Sequence, residues 1–221
     1  MGRAVPERFC CDDDLRWIAS DGVHADEDLE AWRSGRLHDA TRQLTEILLR
    51  EGVEGLTVLD IGAGVGAVHL ALLEAGAARA IDVDASREYL AVASAEAERR
   101  GLADRVVHRF GDVVELSESL PPADVVVLDS VICCYPYLDR LLGASLASRP
   151  ALVGLTFPRG TWWMVLYMRL HNLRNLLARR HDDYFIHPYA TVVELLADAG
   201  YRQIHDGGSR IWRVVAFRRA A

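Results

Sequence analysis

The sequence predicts an α/β fold: a doubly wound, seven-stranded sheet, mostly parallel, that ends in an antiparallel hairpin. Three observations point that way. From residue 56 onward, short apolar runs alternate with helical ones; the last stretch, 201–219, reads as two strands about a turn; and residues 1–50 are helical in pattern. Strands that alternate with helices pair in parallel through crossovers, and a hairpin can only pair its strands antiparallel.

Taken in order, the stretch LHDATRQLTEILLREG (37–52) places Leu37, Leu44, Ile47 and Leu48 at helical spacing, with Gly52 closing the helix. LTVLDIG is the first strand and VGAVHLALLEAG the helix after it. ARAIDVD follows as a strand, then SREYLAVASAEAERRG as a helix with Ser86 as its N-cap. RVVHRFGD and ADVVVLDSV are two further strands, YLDRLLGASLA a helix, and ALVGLTF the fifth strand. TVVELLADAG is the last long helix, and Asp206-Gly207-Gly208 has the chemistry of a hairpin turn between the final two strands. One segment interrupts the alternation, an insertion between the fifth strand and the last long helix.

Composition narrows the function. At 221 residues and 51% hydrophobic the chain buries a full core in one domain. No apolar run reaches the roughly 18 residues of a membrane span. The start, MGRAVPERFCCDDD, lacks the apolar stretch of a secretory signal, and Pro6 stands where a myristoylation motif wants Ser or Thr, so the expected location is the cytoplasm. A net charge of −7 disfavours nucleic acid as a partner. The charge is uneven, −12 over residues 1–158 and +5 over 159–221, as either substrate charge or solvated faces would give. All 25 basic residues are Arg, and without Lys neither Schiff-base chemistry nor a Walker A loop is possible. Cys10-Cys11 and Cys133-Cys134 are adjacent pairs, suited neither to a disulfide framework nor to zinc, and are expected as reduced thiols.

The chemistry gathers at VLDIGAGVGAVHLAL, where Gly62, Ala63, Gly64 and Gly66 follow Asp60 at a strand-to-helix junction. Glycines there let the chain turn tightly and let a ligand approach the backbone. The spacing also satisfies the dinucleotide pattern G-x-G-x-x-G/A through Gly62, Gly64 and Ala67. Asp60 separates the two readings: a carboxylate before the loop repels a pyrophosphate but suits a ligand carrying an ammonium and a sulfonium.

Over residues 56–157 the chain resembles the class I S-adenosylmethionine-dependent methyltransferases, whose first motif is apolar-apolar-acid-apolar-G-x-G-x-G. The resemblance implies a Rossmann-like sheet, S-adenosyl-L-methionine as cofactor, and a methyltransferase domain over 51–221. It would carry an N-terminal helical cap over 1–50 and a substrate-lid insertion over 158–189. It implies that Asp84, with Ala85 after it, accepts from the ribose hydroxyls, Asp82 being the weaker rival. Asp112, with Val113, would lie near the adenine amine. Each of these acids alone also fits a helix cap. Thr41, with Trp32 and Arg36, falls in the region that related proteins use near the cofactor carboxylate.

LDSVICCYPYLDR follows the fourth strand, where the family places residues beside the reactive methyl, so Asp129, Ser130 and Tyr135 are candidates. LD-x-x-I-x-x-YP followed by FPR resembles the magnesium-protoporphyrin O-methyltransferase subgroup, though the insertion differs. In that insertion Trp163, Leu166, Leu170, Leu173 and Leu177 share one face, and Arg169, Asn172, Asn175 and Arg179 tend to the other. Such a face ordinarily packs on a core; its place after strand five also makes it a lid suited to an aromatic or lipophilic acceptor. His181, Asp182, Asp183 and His187 are too irregular to predict a metal site. If the acceptor must lose a proton, Tyr135, His187 or Tyr184 would take it. The expected function is methyl transfer to a small molecule. Cyclase or lyase use of the same cofactor, an NAD(P)-dependent reductase and a non-catalytic binding module are the alternatives.

Overall fold

A computed structural model describes residues 24–178 and 183–220. Two helices come first, α1 (Ala25–Arg33) and α2 (Asp39–Glu51). Then follow β1 (Thr57–Ile61), α3 (Ala67–Glu74), β2 (Arg79–Asp84), α4 (Arg87–Arg99), β3 (Val106–Phe110), α5 (Val113–Leu116), β4 (Val125–Asp129), α6 (Leu138–Ser145) and β5 (Leu152–Pro158). The chain finishes with α7 (Trp162–Ala178), α8 (Tyr189–Asp198), β6 (Tyr201–Gly208) and β7 (Trp212–Arg219). The sheet order is β3-β2-β1-β4-β5-β7-β6, with β7 antiparallel to both of its neighbours. The order reverses between β1 and β4, and in such sheets ligands bind at the carboxyl ends of the strands on either side of that reversal.

The strands are continuous apolar runs because both faces are covered. Leu59, Ile61, Val126, Leu128, Val153 and Leu155 face α5, α6 and α8. Val58, Val125, Val127 and Leu152 face α2, α3 and α4. Helix α2 lies directly on β5, where a Cβ at Gly154 would come within 2.7 Å of Leu44 Cδ1. Only a glycine admits so close a helix, and the contact fixes where the start of α2 points.

Three local expectations are refined. His38, not Leu37, opens α2, its Nδ1 accepting from the Ala40 N–H at 3.2 Å. The hairpin turns later than its composition predicts: Asp206, Gly207 and Gly208 remain in β6, paired with Val215, Val214 and Arg213, and Ser209 caps the turn by accepting from the N–H groups of Ile211 and Trp212. The reason is a register shift between Gln203 and His205, which moves the pairing along. Third, the predicted apolar face of α7 does not pack on the core. Met164, Met168 and Asn175 are its buried side, while Leu166, Leu170 and Leu173 are exposed. Cys10, Cys11, His181 and Asp182 lie outside the described residues. Among the described residues no helix is long and apolar enough to cross a membrane.

Leu48 is fully buried between α2 and the sheet. Leu48→Ala is expected to cost about 2–5 kcal/mol and to lower Tm by at least about 5 °C in a thermal melt.

Candidate functional site

The loop between β1 and α3 turns on three left-handed glycines, Gly62, Gly64 and Gly66, with φ of 60°, 56° and 81°. Gly62 also yields to the neighbouring strand's loop, since a Cβ there would stand 2.7 Å from Val131 Cγ2. Behind the loop Asp60 Oδ2 accepts from the His69 backbone N–H at 3.3 Å and bonds His69 Nδ1 at 2.9 Å. Both side chains are buried, and the His69 ring lies under Gly66, 2.8 Å from where a Cβ would be. Burial pushes the Asp60 carboxyl up, with the His69 bond opposing. Burial disfavours the charged imidazole of His69, but the Asp60 carboxylate outweighs it and the pKa rises. Asp60 therefore sits beneath the loop on the helix side and not in a cavity wall.

Asp84 ends β2 on the open side. Its Oδ2 accepts from Gly64 N–H at 3.0 Å and its Oδ1 from Ser86 N–H at 2.8 Å. Burial raises its pKa to about 7, the two backbone bonds opposing, with Asp82 and Asp60 adding repulsion. Asp82, the rival residue, lies on the same side two residues deeper in β2 and is fully buried, its Oδ2 on His108 Nδ1 at 2.7 Å.

Two cavities adjoin here. The larger, about 470 Å³, is walled by Asp28, Trp32, Arg36, His38 and Thr41 from the N-terminal helices and by Gly62, Ala63 and Gly64 from the loop. Asp84, Tyr89, Asp129, Ser130, Val131 and Cys134 complete it. The smaller, about 70 Å³, is walled by Ala85, Asp112, Val113, Tyr135 and Leu141, and shares Gly62, Asp84, Val131 and Cys134 with the first. Together they form an elongated groove across the switch point.

At the β4 end Asp129 is held by hydroxyls: Thr41 Oγ1 donates to its Oδ2 at 2.6 Å, and Thr156 Oγ1 donates to its Oδ1. Thr156 in turn accepts from Ser130 N–H at 2.9 Å, and Ser130 takes a left-handed φ of 64°, costly for a residue with a Cβ. Asp112 caps α5 through Val114 N–H at 2.9 Å and accepts the Tyr135 hydroxyl at 2.7 Å.

Of the three residues expected to serve as a base, none lines the larger cavity. Burial and the Asp112 bond push the Tyr135 phenol upward, which keeps its proton on and makes it a poor base. His187 Nε2 bonds the Tyr135 carbonyl at 2.8 Å. Tyr184 is tied by its backbone to the Asn172 amide, at 2.9 and 2.7 Å. Among the described residues of the 158–189 segment none lines either cavity. Cys134 borders both cavities, whereas Cys133 is buried, its thiol pushed up by the bond to Cys134 and by burial. Among the described residues no cluster of His, Cys, Asp or Glu could hold a metal ion. His38, Tyr89 and Asp28 were missed from the sequence. His38 stands at the start of a helix with no signal of a second role, and Tyr89 and Asp28 meet only through the fold, the Tyr89 hydroxyl donating to Asp28 at 2.6 Å.

Residues 58–145, from β1 to the end of α6, match a family described as a methyltransferase domain. That match covers less than half of the chain. Comparison of the chain with curated proteins gives no match. Among solved structures it is similar to magnesium protoporphyrin IX methyltransferase of Synechocystis PCC 6803, crystallised with S-adenosylhomocysteine, at 20% identity over 93% of this chain and 92% of that one, TM-score 0.67. An O-methyltransferase family protein of Burkholderia thailandensis matches at 17% identity, over 92% of this chain and 62% of that one, TM-score 0.70. The cyclase SpnF matches at 16% identity over 81% of each chain, TM-score 0.61. These likenesses show a shared fold; S-adenosylmethionine is the cofactor that the sequence resemblance implies.

The residues present fit that cofactor. The glycine backbone leaves the groove open to a ligand, and a buried carboxylate, Asp84, stands where the two cavities meet. Helix α1 closes the groove by docking on α4 through Glu96, fully buried and bonded by Arg33 at 2.6 Å, Arg99 at 2.7 Å and Arg100 at 2.7 Å. The Arg99 bond, and after it those of Arg33 and Arg100, hold the Glu96 carboxyl far below the usual carboxylate range against the opposing effect of burial. A depressed acid stabilises above its unfolded pKa and loses that stability as pH falls through the folded value, so α1 stays docked well into mild acid. Glu96→Gln is expected to free α1 and to weaken S-adenosylhomocysteine binding at least about fivefold by calorimetry, with the sheet still folded by circular dichroism.

Proposed function

We propose that the enzyme transfers the methyl group of S-adenosylmethionine to a small molecule bound between the N-terminal helices and the loop after β4. The observation that carries this reading is the continuous groove itself. Residues of α1 and α2 wall it together with the glycine loop, an arrangement that favours a small acceptor. The net charge of −7 also disfavours a nucleic-acid acceptor. An aromatic or lipophilic acceptor suits walls that include Trp32, Leu37, Val65 and Tyr89.

In this reading Asp84 accepts from the ribose hydroxyls, and Gly62, Ala63, Gly64 and Ala85 offer backbone to the cofactor. Asp112 and Val113 border the adenine. Asp129 and Ser130, with Thr41, face the methionine portion beside Arg36. When bound, the cofactor supplies a methyl group already activated by sulfonium charge. The chain's own task is then alignment and exclusion of water. Asp60 acts through the loop it holds. The acceptor pocket falls near Cys134 and the N-terminal helices, and His187 and the Phe185 N–H brace the Cys133–Tyr137 loop beside it through the Tyr135 and Cys133 carbonyls.

The fold similarity to a cyclase gives one specific alternative, use of the same cofactor without methyl transfer. A screen of small aromatic and lipophilic acceptors that follows S-adenosylhomocysteine release tests the proposal. Release with a methylated product supports it; product formed without S-adenosylhomocysteine favours the alternative.

Because burial lifts Asp84 to about 7, the ribose hydroxyls would meet a mostly protonated carboxyl below that pH. Affinity for S-adenosylhomocysteine is therefore expected to rise roughly tenfold from pH 6 to pH 8 and then level off. Asp84→Asn should bind at least about tenfold more weakly at pH 8 and lose this dependence in calorimetry. Arg36→Ala should weaken S-adenosylhomocysteine about tenfold yet leave methylthioadenosine, which lacks the amino-acid end, nearly unchanged. Equal losses for both ligands would move Arg36 away from the cofactor carboxylate.

A further inference from the structure

Helix α7 presents to solvent what most helices hide. Trp162, Leu166, Leu170, Leu173 and Leu177 are 50–78% exposed, and Trp163 is 38% exposed. At 3.6 residues per turn these six positions fall within an arc of about 100°. Arg169 and Arg174, both exposed, flank that arc on its two sides at the same spacing. The opposite side, Met164, Met168 and Asn175, is the part anchored to the protein. From residue 159 to residue 181 the sequence contains five arginines and no acid, within a chain whose net charge is −7. The local positive charge is therefore not a by-product of composition.

We propose that α7 lies in the plane of an anionic lipid surface, with its Trp and Leu arc in the acyl boundary and its flanking arginines on lipid phosphates. The pattern is that of an interfacial helix: aromatic and leucine side chains on one face, arginines at its margins, and a length below that of a membrane span. Arginines at the margins extend their stems along apolar surface while the guanidinium groups reach the headgroups. A second copy of the chain is a poorer occupant. A self-complementary pairing of this face would set Arg169 and Arg174 against the same residues of the other copy, with no acid on the helix to neutralise them. A zwitterionic surface would offer phosphates without net negative charge, and so a weaker attraction for the arginines.

The experiment is co-sedimentation of the full chain with phosphatidylglycerol-containing vesicles and with pure phosphatidylcholine vesicles, at low and high salt. Binding to the anionic vesicles is expected to be at least about tenfold stronger than to the neutral ones and to weaken with salt, each arginine contributing about fivefold. Leu166→Glu/Leu170→Glu should abolish it and Arg169→Glu/Arg174→Glu should reduce it at least about tenfold. Both pairs are exposed, so each variant should keep the wild-type melt and S-adenosylhomocysteine affinity. Absence of binding to anionic vesicles would overturn the proposal. So would equal binding by the leucine variant, or concentration-dependent dimerisation lost in that variant without vesicle binding. Binding seen only after removal of residues 1–23 would assign the face to that segment and overturn it for the full chain.

Discussion

The site depends on one buried contact, Asp60 against His69 at 2.9 Å. The glycine loop has no side chains with which to hold itself, and three of its residues sit in left-handed backbone. It is kept in shape from beneath, by a carboxylate at the end of β1 that takes both the ring and the backbone N–H of a histidine in the first turns of α3. Neither partner has water to fall back on, so losing either would strand the other's polar atoms in apolar surroundings. The same contact explains why the loop is glycine-rich on its inner side as well. The His69 ring fills the space where a Gly66 Cβ would go. The acid in the motif thus shapes the loop, and any attraction it exerts on a cationic ligand acts through the loop's thickness.

A second constraint follows from the first. Asp60 and Asp82 are registered neighbours on β1 and β2, and Asp84 lies two residues farther along β2 on the same side as Asp82, nearer the groove. Burial pushes the Asp84 carboxyl up, and the neighbouring Asp82 and Asp60 add repulsion. A groove built this way is under electrostatic strain that hydroxyl or ammonium donors relieve. This is a physical reason for a ligand with ribose hydroxyls and cationic centres to bind here, independent of any likeness to other proteins.

The strands and the glycine loop were legible in the sequence because their signals are local. A buried parallel strand is an apolar run, and a left-handed turn asks for glycine. Ser86 was legible as a cap for the same reason, its hydroxyl accepting from Tyr89 N–H three residues on. The hairpin's turn was displaced because Gly207 and Gly208 suit a turn equally well within a strand whose register has shifted. The polar members of the groove were less visible. Thr41 reaches Asp129 from 88 residues away, and Tyr89 reaches Asp28 from 61. Nothing in either stretch announces the other. For α7 the periodicity was right and the environment was not, since an apolar stripe shows that a face wants covering and does not say by what.

That difference also separates the two halves of the proposed site, one for cofactor and one for acceptor. The cofactor side is written by backbone needs, glycines at φ above 50° and acids at strand ends, and such needs leave a trace in a short window of sequence. The acceptor side is set by which side chains the N-terminal helices deliver, and their delivery depends on packing far from the groove. Thr41 reaches Asp129 because α2 sits on β5, and α2 sits on β5 because Gly154 makes room for Leu44 and Leu48. Trp32 borders the groove because Glu96, on the outside of α4, holds Arg33, while Arg100 stacks on the Trp32 ring at 4.2 Å. Specificity in such an enzyme is thus a property of helix placement. Substitutions in the α1 and α2 contacts would alter the acceptor pocket while the loop that binds the cofactor kept its form.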